Sequence, residues 1–401
     1  MRYNIKNIVN HDGKIKNCTL AVGNGIVSDI RPGYISDAET FHYAIPGFID
    51  IHTHGGDGFE LMDNSPRALD AISRFYLRNG TTSFLTSTVT DSLDKTAAVL
   101  ETVRAFLPHN RELSRKAEQA ECLGVHLEGP WLSMKNLGAQ NPEYCIVPGT
   151  ESLALIEKFR DIVKMVTFSY HTLEAQTLLE FLNDRGIVAA CGHDETIDER
   201  ITEGFQKGIK VVTHIYCVCS SFQRVNGLKH LGTVEVALMT DGVKVEVISD
   251  GHHITKYFWD FIVHNKSYDD ILIVSDSMRC AGMPEDPEKT YKLGEIDVIV
   301  DNGVAWLKDK SAFAGSVATM YSNFRNLVQN WGVDISDAVK ITSYNQSRLF
   351  NLDHLGEIKA GRKADILLLD KNLSVCKIIK NGIEVPGTVS KSVSGSGLST
   401  L

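Results

Sequence analysis

Between residues 46 and 276 the chain repeats one pattern, a short apolar or β-branched run followed by a longer stretch with helical spacing. The runs are "GFIDIHT" (47–53), "TSFLTST" (82–88), "CLGVHLE" (122–128), "VKMVTFSY" (163–170), "IVAACGH" (187–193), "IKVVTHI" (209–215), "VKVEVIS" (243–249) and "ILIVSDS" (271–277). Stretches between them, such as "SPRALDAISRFYLRNG" and "AQTLLEFLNDRG", close on glycine as helices do. Eight strands separated by helices predict an α/β fold of the TIM type, a (β/α)8 barrel over residues 47–349.

The flanks have another texture. Residues 1–45 hold "YNIKNIVN", "TLAVGNGIVSDI" and "FHYAI", short β-like pieces joined by Asp, Asn and Gly turns. Residues 355–386 read the same way, including the turn "KNG". Residues 1–46 and 350–388 are therefore expected to form one small β-sandwich domain beside the barrel. The Ser/Gly-rich end, residues 389–401, reads as a flexible tail.

Composition narrows the function classes. With 43% hydrophobic and 23% charged residues, a chain of 401 residues can bury a large core. A net charge of −9 argues against a nucleic-acid or anionic-membrane surface, yet leaves room for one anionic small substrate. The start, "MRYNIKNIVN", lacks the apolar core of a signal peptide, and no apolar run is long enough to span a bilayer. Eight scattered cysteines point to a reducing compartment, so the cytoplasm is expected.

Chemistry in such a barrel gathers where strands end. His52 and His54 end the first run, Glu128 the third, His193 the fifth, His214 the sixth and Asp276 the eighth. In an extended segment residues i and i+2 share a face, so His52 and His54 can aim at one point. A lone histidine at a strand end is more often packed or solvated than a ligand. Glu128 alone reads equally well as a salt-bridged rim residue, and Asp276 as a helix N-cap. Those separate readings do not account for six such groups at one edge of the same barrel. Neutral imidazole and carboxylate suit zinc or a similar divalent metal in an incompletely filled site.

The chain resembles the amidohydrolase superfamily, and within it the N-acetylglucosamine-6-phosphate deacetylases. The resemblance rests on "PGFIDIHTHGGDG", "HLEGPWLS" followed by "GAQNP", "CGHDE", "VTHIY", "ISDGHH", "IVSDSMRCAG", "FAGSVATM" and "GEIKAGRKADILLLD", in the family's order. It implies metal ligation by Glu128, His193 and His214, with His52 and His54 able to hold a second ion. The metal implied is zinc, with Fe2+, Co2+ or Mn2+ as alternatives. The fourth strand ends in "FSYHTLE", without the carboxylated lysine of other amidohydrolases, so Glu128 would take the bridging place. Asp276 would accept a proton from water and return it to the leaving nitrogen. The implied reaction is hydrolysis of the N-acetyl group of an N-acetylhexosamine 6-phosphate, with N-acetylglucosamine 6-phosphate as default. A homodimer and a phosphorylated amino-sugar substrate, without nucleic acid or membrane, complete the expectation.

Several substrate positions depart from the family pattern. Gly138-Ala139-Gln140-Asn141 stands where the family usually has Gly-x-His-Asn. Gln140 donates a hydrogen bond but brings no titratable proton. Cys217-Val218 replaces the usual Asn-Ala after the aromatic Tyr216. Arg224 stands near the family's phosphate-binding arginine, and His253 matches a sugar-site histidine. Ala314, Gly315 and Ser316 of "FAGS" are candidates to offer backbone groups to substrate, or simply a tight turn. Two further readings stay open. One is a metal-dependent hydrolase of another N-acyl sugar, such as the galactosamine epimer, or of another small amide. The other is a catalytically silent barrel that binds or assembles.

Overall fold

The repeated runs do become strands. In a computed structural model describing residues 1–286 and 288–387, they are Phe48–Asp50, Thr81–Ser87, Glu121–Glu128, Val163–Phe168, Val188–Cys191, Val211–Val212, Lys244–Val247 and Ile271–Ile273. Each pairs in parallel with its neighbours in sequence, giving a row of eight. The two ends of the row meet through side chains and loops. Ser275 Oγ donates to Asp50 Oδ2 at 2.5 Å, and the Asp276 and His54 amides donate to the carbonyls of His52 and Ser277 at 2.9 and 2.8 Å. That seam curls the sheet into a barrel. The expected tail, 389–401, lies outside the described residues.

Period-two alternation along each strand feeds two cores. Phe84, Val166, Val212 and Ile273 point outward into the layer beneath the helices, while Leu85, Met165, Val211 and Leu272 fill the barrel interior. The helix Pro66–Arg78 shows how the outer layer closes. It starts on a proline at its first position, where the missing N–H costs nothing, and buries Leu69, Ile72 and Tyr76 along one stripe. Gly80 then takes a left-handed φ of 83° and ends the turn into the next strand.

The ladders stop sooner than the apolar runs suggest. Strand pairing ends at Asp50, Cys191, Val212 and Ile273, before the histidines and Asp276 are reached. The physical reason is local: His193, His214 and Asp276 have φ of 48°, 27° and 47°, a left-handed backbone that no ladder accommodates. These residues therefore sit on turns just beyond the strand tips. Two β elements not anticipated from the sequence leave the same rim. A hairpin, Gln223–Val225 and Leu228–His230, follows the sixth strand, and an antiparallel sheet, Thr290–Leu293, Ile296–Asp301 and Val304–Leu307, follows the eighth.

Both ends of the chain contribute to one seven-stranded sheet. Arg2–Asn10, Gly13–Gly23, Ile26–Pro32 and Thr40–Pro46 join Ile366–Leu369, Val375–Lys380 and Ile383–Glu384 around a core that includes Ile5, Ile8, Leu20, Ile366 and Ile379. Lys380 lies wholly buried in this sheet, its Nζ 2.7 Å from Asp365 Oδ2 and 3.9 Å from Glu121 Oε2. Lys363 pairs with Glu121 as well. Glu121 begins the third barrel strand, the one that ends at Glu128, so this charged cluster ties the small sheet to the base of that strand. Asp365→Ala would strand a buried ammonium, and we expect it to cost about 3 kcal/mol. Urea denaturation followed by circular dichroism measures the loss; an unchanged midpoint would show that the cluster does not hold the two parts together.

Candidate metal centre

The rim turns bring six chemistry-bearing side chains to one point. Glu128, at the tip of the third strand, is buried, and its Oε1 lies 2.9 Å from His214 Nε2, 3.2 Å from His193 Nε2 and 3.4 Å from His52 Nε2. Its Oε2 lies 3.5 Å from His54 Nε2. Asp276 Oδ1 stands 3.1 Å from His54 Nε2 and 3.7 Å from His52 Nε2. All six predicted strand-end residues therefore share one buried cluster. Within it, His52, Glu128 and His214, and separately His52, His54 and Asp276, are spaced closely enough to hold a cation.

The second nitrogen of every imidazole is spoken for. His54 Nδ1 donates to the Ser87 carbonyl at 3.2 Å, His193 Nδ1 to that of Asn136 at 3.0 Å and His214 Nδ1 to that of Cys217 at 3.1 Å. His52 Nδ1 faces Glu246 Oε2 at 2.9 Å. Each partner only accepts, so Nδ1 carries a proton in every ring and each Nε2 turns inward. His52 Nε2 is buried without a hydrogen-bond partner among the described residues.

Titration follows from this crowding. Burial opposes a charge on His52, but the carboxylates of Glu246 and Glu128 outweigh it and hold the imidazole well above its ordinary value. His54 is raised as well, burial being overcome by the hydrogen bond and charge of Asp276 and the charge of Glu128. Conversely, burial would raise Glu128, yet His52, His193 and His214 hold it well below the usual carboxylate range. Asp276 is lowered despite its burial by His54 and His52, so it is ionised at neutral pH.

The substrate candidates divide into groups. Gln140 is buried and committed: its Nε2 donates to Glu128 Oε2 at 2.7 Å, and its Oε1 accepts the Thr90 amide at 2.8 Å. Ala139 beside it is buried. A Cβ at Gly138 would come within 3.1 Å of Val218 and 3.7 Å of the His193 ring, so this loop packs against Val218 and the centre. The Cys217 carbonyl holds His214, while burial and then the Asp276 charge push the Cys217 thiol well up. His253 donates from Nδ1 to Asp250 Oδ2 at 2.8 Å and packs its ring against Phe313 at 4.9 Å.

"FAGS" is engaged within the protein. The Ser316 amide donates to the Asp276 carbonyl at 2.8 Å and the Ala314 amide to that of Ala305 at 3.0 Å. Gly315, at φ 67°, passes so close that a Cβ there would lie 3.0 Å from the Asp276 carbonyl oxygen. The stretch braces the turn carrying Asp276. Arg224 stands apart, exposed on the hairpin, its side chain without a hydrogen bond or ion pair among the described residues. Trp131 belongs to the core, its Nε1 donating to Ser152 Oγ at 2.8 Å.

Sequence reasoning missed Glu246 and Asp194. Glu246 places a carboxylate between two valines of a barrel strand, which is the signal that would have found it. Asp194 follows His193 and accepts hydrogen bonds from the Ser169, Thr196 and Thr233 hydroxyls and the Tyr170 and Thr196 amides, fixing the turn after that histidine.

Comparison with known proteins gives this geometry a context. Residues 43–394 match the model of the amidohydrolase family. An N-acetylglucosamine-6-phosphate deacetylase of Lysinibacillus sphaericus is 31% identical over 85% of this chain and 84% of its own length. An N-acetylgalactosamine-6-phosphate deacetylase of Escherichia coli O157:H7 is 27% identical over 93% of this chain and 96% of its own. Among solved structures, a mutant N-acetyl-D-glucosamine-6-phosphate deacetylase of Mycobacterium smegmatis, in complex with N-acetyl-D-glucosamine-6-phosphate, superposes with a TM-score of 0.86 at 25% identity, covering 96% of this chain and 99% of that one. The chain belongs to the amidohydrolase family and, within it, to the N-acetylglucosamine-6-phosphate deacetylase family.

Proposed function

We propose that the chain hydrolyses the N-acetyl group of an N-acetylhexosamine 6-phosphate, with N-acetylglucosamine 6-phosphate as default, giving the amino-sugar phosphate and acetate. The observation that carries this reading is the convergence of four Nε2 atoms on two carboxylates at the barrel mouth. With every Nδ1 facing an acceptor, neutral imidazoles would set acceptor against acceptor across 2.9–3.7 Å, and the raised His52 and His54 show the cluster drawing positive charge to itself. A divalent cation answers that conflict. The donor set of imidazole nitrogens and carboxylate oxygens fits zinc, or iron, cobalt or manganese in the same state. Glu128, His193 and His214 would hold one ion, and His52 and His54 a second. Bound there, such a cation polarises an amide carbonyl and makes water acidic enough to react near neutral pH.

The chain's own residues supply the rest. Asp276 is ionised, and both its amide and its carbonyl are hydrogen-bonded, to His52 and Ser316, so its carboxylate is held over the centre. It takes the proton of the attacking water and passes it to the departing nitrogen, base first and acid second. Gln140 steadies Glu128. His253, oriented by Asp250, is available to a sugar hydroxyl, and Arg224 is an uncommitted cation for the phosphate. The alternative substrate is the galactosamine epimer or another N-acyl sugar. It is favoured by the commitment of Gln140 to Glu128 and by Cys217 standing where the family has asparagine.

The remaining expectations have their own support. Tyr257, Phe258 and Phe261 are exposed along one side of the helix Lys256–Asn265, and Phe258 packs on Tyr216, the neighbour of Cys217. An apolar face beside the mouth suits a homodimer partner. All eight cysteines are free, which suits the cytoplasm. Among the described residues no helix is long and apolar enough to cross a membrane.

Amine release from a panel of N-acetylated sugars, with and without 6-phosphate, tests the reading directly. We expect fastest turnover with N-acetylglucosamine 6-phosphate, abolished by chelation and restored by zinc. Turnover confined to unphosphorylated amides would overturn the substrate. Asp276→Asn should lower kcat by roughly a hundredfold to ten-thousandfold while bound metal is retained. Unchanged kcat in that variant would remove Asp276 from the proton path.

A further inference from the structure

Three of the four imidazoles at the mouth are held from behind by backbone carbonyls, and His52 is the exception. Its support is Glu246, which enters from the seventh barrel strand between Val245 and Val247 and is fully buried. A carboxylate is costly to bury unless it is paired and hydrogen-bonded. Glu246 has few partners. Its Oε2 faces His52 Nδ1 at 2.9 Å and accepts the His214 amide at 3.2 Å, while its Oε1 has no hydrogen-bond partner among the described residues. The acid is thus matched through two members of the cluster, just beyond the tips of the first and sixth strands. An apolar side chain could have filled the same space on this inward face, while Val245 and Val247 point the other way into the layer beneath the helices.

His52 is also the member common to the two groups at the barrel mouth that are spaced to hold a cation. Its ring is confined on another side by His126, edge-on at a centroid distance of 4.5 Å. His126 is itself bound to Ser87 Oγ at 3.2 Å and Thr167 Oγ1 at 2.7 Å. A carboxylate behind a ligating histidine fixes the tautomer, orients the ring and strengthens the nitrogen that faces the metal.

We propose that Glu246 is a positioning residue that keeps the His52 proton on Nδ1 and its Nε2 turned toward Glu128 and Asp276, and so sets how tightly the barrel mouth holds a divalent cation. The inference rests on the metal-dependent reading given above. Glu246 touches neither substrate nor cation; it acts through His52 and, by the shared oxygen, steadies the turn at His214.

Glu246→Gln tests this with zinc alone as the probe, in the full chain. It keeps the volume and an accepting oxygen but removes the charge. Zinc retained after dialysis against graded chelator should weaken roughly 10- to 100-fold. The rise in Tm on adding zinc should shrink, while the Tm of metal-free protein should not fall. In a His52→Gln background the same change should leave zinc retention unaltered, because its route of action is gone. Zinc retention equal to wild type would overturn the proposal. So would a lower metal-free Tm with an undiminished zinc-induced rise, the mark of a purely structural residue. Should Glu246→Gln be recovered unfolded, Glu246→Asp is read in the same assay, and wild-type zinc retention there overturns the proposal too. Wild-type protein that retains no zinc would overturn the metal reading itself, and this inference with it. Zinc-retaining wild type alongside an unaffected Glu246→Gln overturns this inference alone.

Discussion

One buried carboxylate organises the barrel mouth. Glu128 sits among imidazole Nε2 atoms whose companion Nδ1 atoms donate hydrogen bonds to fixed acceptors. Removed from water, such a group demands positive charge at its oxygens. The protein meets that demand by geometry at a distance. The strand row aims the side chains, the seam between Asp50 and Ser275 closes the barrel, and left-handed turns at His193, His214 and Asp276 swing the functional groups inward. A backbone conformation that costs energy for a non-glycine residue occurs here at three positions that share one target.

Much of this was legible in the chain. Eight apolar or β-branched runs separated by helical stretches specify a parallel barrel, whose strands are covered on both faces. The His-x-His pair and the later strand-end residues stood out because nothing in packing requires imidazole at a strand tip. The pairing of the two chain ends was visible in their shared β texture, and "KNG" lies at the turn between Lys380 and Ile383.

What stayed hidden depended on partners remote in sequence. Glu246 looked like one of several polar positions in "VKVEVIS"; its meaning appears only when His52, far away in the chain, lies 2.9 Å from it. Gln140 read as a substrate contact because only its own neighbourhood was in view, yet both ends of its amide are committed to Thr90 and Glu128. "FAGS" likewise spends its amides on Asp276 and Ala305. The alternation in "YKLGEIDVIVDNGVAWL" carries the signature of a small antiparallel sheet, but a barrel scheme leaves no slot for one. The strand-end candidates come together because strand order fixes where they stand, whereas the hydrogen bonds of Gln140 and "FAGS" are set by loops that the barrel does not constrain.

The most direct test of the account is anomalous X-ray scattering from crystals of the full chain grown with zinc, collected on both sides of the zinc absorption edge. An edge-dependent peak is expected among Glu128, His193 and His214, with any second peak beside His52 and His54. Edge-dependent density elsewhere, or none in this cluster, would contradict the claim that these buried acceptors are arranged around a metal.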